Sequence, residues 1–188
     1  MRHLFTSLFT ILVFILVTSC KKDEKVTIPT SGEYLPMQVQ NYWQIQDYLT
    51  YTITGKKVID NKTYFIFVQG YDTSYYRNEN NKTYVRRSSG DESVKFNFET
   101  KTNETWEFQD GGTTWTVKRN ASDTITINNT KIPNCYEFFF DIPMGADAAH
   151  SIWLAPGIGF IKMTCGFCPY PYLNLNKARI NNKEITFP

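Results

Sequence analysis

The chain has 188 residues, of which 41% are hydrophobic and 16% aromatic, and its 20 basic and 18 acidic side chains leave a formal charge of +2 at pH 7. This much apolar material can bury a core, which excludes a disordered or low-complexity protein, and the length suits about one domain. The near balance of charge gives no electrostatic basis for binding nucleic acid, so we expect no nucleic-acid partner.

The N-terminal segment has the pattern of a signal peptide. Arg2 and His3 precede an apolar run over residues 4–17. As a helix this run would span about 21 Å, which is short of the roughly 30 Å hydrocarbon core of a membrane. A charged start, a short apolar run and small residues before a cleavage point predict a signal peptide over residues 1–19, with an uncleaved signal anchor as the alternative.

The end of this segment, Val17-Thr18-Ser19-Cys20, resembles the lipobox of bacterial lipoproteins. By that resemblance, cleavage precedes Cys20 and the cysteine carries lipid. Several acyl chains, each contributing about 0.8 kcal/mol per buried methylene, would hold the domain at a membrane. The resemblance therefore implies that the membrane is a partner through a lipid anchor.

Residues 20–33 are interpreted as the lipidated N-terminus and a flexible tether, because the run after the cysteine is charged. Within it, Lys22, Asp23 and Glu24 resemble the export signal of Bacteroidetes lipoproteins, a lysine and two acids just after the lipidated cysteine. The resemblance implies display on the outer face of the outer membrane, at the cell surface. The periplasmic leaflet is the alternative.

Residues 34–188 are predicted to form a single all-β domain. From Cys20 onward the chain contains only five Leu and six Ala but 27 aromatic residues, and Thr and Asn are frequent. This composition favours strands over helices. Val94, Phe96 and Phe98 alternate with polar residues, which is the period of two of a half-buried strand.

Turn-forming pairs divide the domain into about eleven strands. They are Thr54-Gly55, Asp60-Asn61, Asn80-Asn81, Ser89-Gly90, Gly111-Gly112, Asn128-Asn129, Pro156-Gly157 and Asn181-Asn182. We predict one antiparallel β-sandwich or flattened barrel, with a closed lipocalin-like barrel around an internal pocket as the alternative. The apolar run at residues 64–68 predicts a strand covered on both faces. The one helix considered is a short turn near residues 145–150.

Two segments resemble a group of uncharacterised Bacteroidetes lipoproteins. The first is Tyr34-Leu35-Pro36-Met37 followed by Asn41-Tyr42-Trp43, and the second is WLAPGIGFIK, from Trp153 to Lys162. The resemblance implies an all-β envelope lipoprotein and transfers no catalytic residue.

The residue types in these two segments also predict local structure. Pro156-Gly157 suits a type II turn, in which Gly157 takes a positive φ. Gly159 in the strand that follows indicates a bulge or a close backbone approach. Trp43 and Trp153 are expected to be core aromatics near the two ends of the sheet.

Few residues offer catalytic chemistry. His150 is the only histidine after residue 19, so a Ser-His-Asp site would need it, with Ser151 and with Asp141 or Asp147 nearby in sequence. No Gly-x-Ser-x-Gly elbow is present, and we interpret His150 as an exposed loop residue. The acidic pairs Glu104–Glu107 and Asp91–Glu92 could serve glycoside hydrolysis only across a sugar cleft, and we interpret them as solvated charge. The sequence therefore predicts no enzyme, and the lack of a phosphate-binding, EF-hand or dinucleotide motif predicts no cofactor.

Three cysteines follow the lipobox, namely Cys135, Cys165 and Cys168. The last two have the CxxC spacing of redox motifs, zinc sites and tight disulfides, but the prolines after them disfavour the helix that a thioredoxin-type thiol needs. A zinc site formed with the remaining histidine is the alternative. In an oxidising envelope we expect a structural disulfide between Cys135 and either Cys165 or Cys168, and no metal.

Tyr75, Tyr76 and Arg77 on one predicted hairpin strand, with Arg86 on the return strand, form a candidate ligand surface. Aromatic rings and guanidinium groups suit sugar faces, anionic glycans or a protein partner, whereas ordinary strand packing is the alternative. The sequence thus predicts a non-catalytic, membrane-anchored domain that binds a glycan or an envelope protein. A carrier barrel for lipid or another hydrophobic ligand is the alternative, favoured if the strands enclose an apolar cavity.

Overall fold

The computed structural model describes residues 27–29, 31–47, 49–87, 90–143, 145, 148–164 and 172–187. Within them the chain forms thirteen β-strands and no helix, so the all-β prediction is confirmed. The strands are β1 (Tyr42–Ile45), β2 (Leu49–Ile59), β3 (Lys62–Gln69), β4 (Asp72–Glu79), β5 (Lys82–Arg87), β6 (Ser93–Asn97), β7 (Thr105–Asp110), β8 (Thr113–Ile127), β9 (Thr130–Asp141), β10 (His150–Ala155), β11 (Gly159–Met163), β12 (Leu173–Ile180) and β13 (Lys183–Thr186).

The strand count exceeds the expected eleven because further turns also end strands. One is at residues 70–71, and another is the loop at residues 98–104, where Asn103 has a positive φ. The helical turn considered near residues 145–150 is not formed by its described residues. Instead, His150 opens β10.

Twelve strands form one antiparallel sheet in the order β6-β5-β4-β3-β2-β1-β12-β11-β10-β9-β8-β7, and β13 pairs with β12. The two edge strands approach each other, because Trp106 Nε1 on β7 donates to Val94 O on β6 at 2.9 Å. Gln109 N on β7 likewise donates to Ser93 Oγ on β6 at 3.0 Å. The sheet is therefore nearly closed into a flattened barrel, as predicted.

Four of the predicted hairpin turns have the backbone that their Asn or Asp residues favour. Both residues have positive φ in Asp60-Asn61, Asn80-Asn81, Asn128-Asn129 and Asn181-Asn182. This is the conformation of a type I′ turn, which matches the twist of the flanking strands. The prediction for Thr54-Gly55 is wrong: this pair lies inside β2, where the register with β3 shifts between Ile53 and Gly55, so it forms a bulge.

The barrel interior is packed by aromatic side chains from opposite walls. Phe96 on β6 lies 5.0 Å from Phe138 and 6.0 Å from Phe140 on β9, measured between ring centroids, and 6.3 Å from Phe160 on β11. All four side chains are at most 2% exposed. Contact across the interior explains why the barrel is flattened.

The two segments that carry the family resemblance lie against each other. Trp43 on β1 is fully buried, and its Nε1 donates to Ile158 O at 2.5 Å. Gly159 has a φ of +95°, and a Cβ placed there would lie 2.7 Å from Trp43 Nε1. The close backbone approach predicted for Gly159 is thus confirmed, as is the positive φ of Gly157, at +69°.

The expected positions of the two tryptophans need correction. Trp43 is a core residue, but β1 lies in the middle of the strand order rather than near an end. Trp153 is half-buried, with the Lys162 amine 4.9 Å from its ring centroid. Its neighbours on β10, Ile152 and Leu154, are buried in the core, so alternation turns Trp153 to the outer face.

The segment before β1, residues 31–41, crosses the end of the barrel, and we call it the strap. Gly157 N donates to Glu33 O at 2.8 Å, so the strap contacts the β10–β11 turn before the predicted domain start at residue 34. Asn41, which is 1% exposed, donates from Nδ2 to Pro36 O at 3.0 Å and accepts from Asn181 N at 2.9 Å. These bonds hold the strap on the β12–β13 turn.

Candidate functional site

The strap lies at one end of the barrel, which we call the upper end. Because neighbouring strands are antiparallel, the turns at residues 60–61, 80–81, 128–129, 156–157 and 181–182 share this end. A cavity of about 540 Å³ opens there. Its lining residues come from the strap, the β4–β5 hairpin and the ends of two further strands: Gly32, Glu33, Tyr34, Leu35, Asn78, Glu79, Asn80, Asn81, Lys82, Phe98 and Tyr136.

Three aromatic rings, which we call the aromatic floor, line the bottom of this cavity. Tyr34 stacks on Phe98 at 4.9 Å and lies 4.8 Å from Tyr136, measured between ring centroids. Phe98 in turn meets Phe138 of the core edge-on at 5.3 Å. The aromatic floor is therefore the uppermost layer of the core, with one side left to the cavity.

Tyr34 is held in place at its hydroxyl. The hydroxyl donates to Asn134 O at 3.0 Å. Burial, reinforced by the neighbouring Tyr136, raises the pKa of Tyr34 to about 12. The phenol therefore stays protonated at neutral pH and keeps this hydrogen bond.

Arg119 braces the same rings without lining the cavity. Its guanidinium carbon lies 4.6 Å from the ring centroid of Tyr136, and Nη1 donates to Phe98 O at 3.1 Å. Its Nε is buried and has no hydrogen-bond partner among the described residues. The cation–π contact and the carbonyl bond together fix two residues of the aromatic floor.

Polar groups form the rim of the cavity. Asn78 Nδ2 donates to Leu35 O at 2.8 Å, and its Oδ1 accepts from Thr83 Oγ1 at 2.8 Å, so this amide is used to hold the strap. The carboxylate of Glu33 lies 3.4 Å from Asn78 Nδ2. The exposed turn at residues 80–81 completes the rim. It is joined to the aromatic floor by the hydrogen bond that Phe98 N donates to Asn81 O at 3.0 Å.

The four residues of the predicted ligand surface do not form one exposed surface. Tyr76 is 6% exposed and packs in the core against Phe67, 4.3 Å away between ring centroids. Tyr75 and Arg86 pair in register on the outer face of the sheet. Because successive side chains on a strand point to opposite faces, the neighbours Tyr75 and Tyr76 are separated by the sheet.

Arg77, the remaining member of that set, is 7% exposed and is used inside the protein. Its guanidinium binds both carboxylate oxygens of Glu92 and stacks on Tyr84, 4.0 Å from the ring centroid. Glu92 also accepts from Tyr64 at 2.5 Å. This cluster covers Tyr64, which explains why its side chain is buried on the side away from the core. Ile66 and Val68 on the same face of β3 are half-buried, so the outer face predicted to be covered over residues 64–68 is fully covered at Tyr64 alone.

Glu92 gives the domain a pH-dependent stability. Partial burial raises its pKa, but hydrogen bonds from Arg77, Tyr64 and Lys62 outweigh that effect and lower the pKa from 4.5 to about 2. Because the pKa is lower in the folded state, this stabilisation is complete above about pH 4.5 and is lost as the pH falls toward 2.

We expect Glu92→Gln to lower the free energy of unfolding by about 1–2 kcal/mol at pH 7 and to flatten its dependence on pH between 4.5 and 2. Urea unfolding at a series of pH values measures both effects. Glu107→Gln, at an exposed position on β7, is the control and should keep the wild-type dependence. An unchanged slope in Glu92→Gln would contradict this assignment.

His150 is not the exposed loop residue that the sequence predicted. It is the first residue of β10, stacks parallel on Phe140 at 5.0 Å and meets Trp115 edge-on at 5.1 Å. Burial lowers its pKa. Its Nδ1 lies 3.3 Å from Ala148 O, whereas Ser151 Oγ donates to Glu137 at 2.6 Å. Asp147 lies outside the described residues.

Cys135 is fully buried, and its Sγ donates to Ile132 O at 3.1 Å. Burial raises the pKa of the thiol to about 11. The described residues hold no group of three or more His, Cys, Asp or Glu side chains placed to bind a metal ion. The remaining predicted site residues lie outside the described residues: Cys20, Lys22, Asp23, Glu24, Cys165 and Cys168.

The predicted disulfide has a direct test in a Cys20→Ser variant, which removes the cysteine that is predicted to carry lipid. We expect one of the three remaining thiols to react with iodoacetamide in the denatured, unreduced protein, and all three to react after reduction. Intact mass spectrometry counts the adducts. Three adducts without reduction would exclude a bridge from Cys135 to Cys165 or Cys168.

A wider groove, of about 1300 Å³, runs between the strap and the β12–β13 hairpin. It extends to Thr27, where the described residues begin. No aromatic side chain is among the described residues that line this groove, whereas the other cavity combines three rings with a polar rim, so the cavity over the aromatic floor is the candidate site. In the part of the chain that the structure describes, no helix is long and apolar enough to cross a membrane.

No protein-family model, curated protein or solved structure matches the chain. The functional interpretation therefore depends on the geometry of the cavity and on the N-terminal motifs.

Proposed function

We propose that the chain is a membrane-anchored, non-catalytic binding domain of the cell envelope, and that its ligand is a glycan bound over the aromatic floor. The observation that carries this proposal is the combination of an aromatic floor with a polar rim in one open cavity. Sugar rings present apolar C–H faces that stack on aromatic side chains, and hydroxyl groups at their edges that need carboxylate or amide partners.

The site is held in its shape before any ligand arrives. Tyr34 is fixed by its bond to Asn134 O, and the strap that carries it is fixed by Asn78 and Gly157. A preformed site loses little conformational entropy on binding, which favours affinity for a small ligand.

The packed interior favours this proposal over the carrier alternative. A carrier for lipid needs an enclosed apolar cavity, whereas the barrel below the aromatic floor is crossed by ring contacts of Phe96 with Phe138 and Phe160. The cavity at the upper end is open, and polar side chains form its rim, which suits a water-soluble ligand.

The binding test uses the mature domain on an array of oligosaccharides with neutral, amino and acidic members. We expect binding of at least one class, weakened about tenfold or more in Tyr34→Ala and Tyr136→Leu, because each removes a stacking ring. Tyr71→Ala, which removes a fully exposed tyrosine outside the cavity, is the control and should bind as wild type. Circular dichroism confirms that the variants fold.

Two outcomes would overturn the proposed function. One is that no member of the array binds the wild-type domain. The other is that folded Tyr34→Ala and Tyr136→Leu bind as tightly as the Tyr71→Ala control.

The proposed location is the cell surface, with the signal peptide at residues 1–19, lipid on Cys20 and the export signal at Lys22, Asp23 and Glu24 supporting it. Protease treatment of intact cells should remove a tagged domain without lysis. Replacing Lys22, Asp23 and Glu24 together by Ala should protect the domain until the outer membrane is opened. Protection of the wild-type protein would place it on the periplasmic leaflet instead.

A further inference from the structure

Most charges near the cavity are balanced within one ion-pair network on the β3–β5 face. Arg77 contacts Glu79 at 2.8 Å and also binds Glu92, which in turn pairs with Lys62 at 2.9 Å. Two acids and two bases therefore cancel. Glu79 belongs to the lining of the cavity, but its charge is already neutralised by a buried guanidinium.

The same holds for the one lysine that lines the cavity. Lys82 Nζ lies 3.8 Å from a carboxylate oxygen of Glu99, so its positive charge is met by an acid outside the cavity. The rim thus has no excess positive charge to offer a ligand among its described side chains.

Glu33 differs from these groups. It is an exposed residue of the strap, its carboxylate lines the cavity, and its polar contact is the Asn78 amide at 3.4 Å. Among the described residues no side-chain nitrogen of a Lys, Arg or His lies within 4.0 Å of its carboxylate oxygens. Glu33 is therefore the one lining charge that lacks a counter-charge in the described part of the chain.

The positive charge of Arg119 does not neutralise the Glu33 carboxylate inside the cavity. Its guanidinium is held against the Tyr136 ring and the Phe98 carbonyl, and it is not part of the cavity lining. A ligand in the cavity therefore contacts the ring faces and the Glu33 carboxylate rather than the guanidinium.

From this arrangement we infer that the bound glycan is built of neutral or amino sugars and carries no acidic group, with Glu33 as the residue that discriminates. The inference rests on the proposed function. A carboxylate accepts hydrogen bonds from sugar hydroxyls or pairs with an ammonium group, and these charge-assisted bonds are the strong ones. A uronic acid, sulfate or phosphate in the same cavity would meet the like charge of Glu33.

The test compares oligosaccharides that share a backbone and differ in charge: β-1,4-linked tetramers of glucose, glucosamine and glucuronic acid, together with the matched galactose series. Calorimetric titration at low ionic strength should give dissociation constants for the acidic members at least about tenfold weaker than for their neutral or amino counterparts. Added salt should bring these dissociation constants closer together, since screening weakens the repulsion between Glu33 and an acidic sugar.

Glu33→Gln should reduce that discrimination to about threefold or less, and Glu33→Lys should reverse it. Glu107→Gln, which removes an exposed acid from β7, is the matched control and should keep the wild-type ratio. Thermal unfolding checks that all three variants remain folded, as expected for exposed positions.

Each outcome decides a separate question. If acidic tetramers bind as tightly as neutral and amino ones, or if Glu33→Gln leaves the ratio unchanged, the inference is overturned while the proposed function stands. If none of the tetramers and no member of the wider array binds, the proposed function is overturned and the inference falls with it.

Discussion

Gly159→Ala is expected to lower the free energy of unfolding by about 3–5 kcal/mol, the largest effect of any substitution considered. Gly159 has a φ of +95°, which an L-residue with a side chain rarely adopts. The added Cβ would also lie 2.7–3.0 Å from three atoms of the Trp43 indole. The indole cannot move aside, because Trp43 is fully buried and bonded to Ile158 O.

Guanidinium unfolding of wild type and variant measures this effect. Gly112→Ala is the matched control, since Gly112 has a φ of +85° but no atom within 4 Å of the added Cβ. It carries the backbone strain without the steric clash, so we expect a loss of about 1–2 kcal/mol. Equal losses in the two variants would show that the indole contact adds nothing.

Asn41→Ala is expected to cost about 2–4 kcal/mol, the second largest effect. The buried amide joins Pro36 O of the strap to Asn181 N of the β12–β13 turn. Truncation leaves both backbone groups without their partner, and an unsatisfied buried polar group costs about 1–3 kcal/mol. The strap and the turn would then separate more readily than the barrel unfolds.

Urea unfolding again provides the measurement, and hydrogen exchange at residues 31–40 reports on the strap alone. Asn176→Ala is the control, because its side chain bonds to Asp47 at an exposed site and should cost less than about 0.5 kcal/mol. A loss below about 1 kcal/mol for Asn41→Ala would mean that water satisfies the two groups.

Local signals in the sequence predicted the fold class well. Adjacent Asn and Asp residues predicted hairpins, and in four pairs both residues have the positive φ that such turns require. Thr54-Gly55 forms a bulge rather than the predicted turn, because a bulge favours glycine as a turn does. The pairing of β1 with β12 had no local signal, since its partners, such as Trp43 and Ala178, are far apart in the chain.

The candidate site was harder to predict, for two physical reasons. First, the alternation of side chains along a strand places Tyr75 and Tyr76 on opposite faces of the sheet, so the two cannot form one surface. Second, the charge of Arg77 is neutralised by Glu92, which lies in the segment before β6. The aromatic floor brings together Tyr34, Phe98 and Tyr136, and the first and last of these are more than a hundred residues apart in the sequence. Each ring is unremarkable in its own segment, and only the topology brings the three together.

The place of β1 between β2 and β12 has a consequence for biosynthesis. As the chain leaves the ribosome, β2 to β6 can pair through consecutive hairpins, but β1 keeps one open edge until β12 is synthesised. Closing that seam joins segments more than 120 residues apart, which raises contact order and slows folding. A chain cut short before Leu173 would retain unpaired edges on β1 and β11, and such edges promote aggregation. The barrel can therefore close only after β12 has been synthesised and has paired with β1.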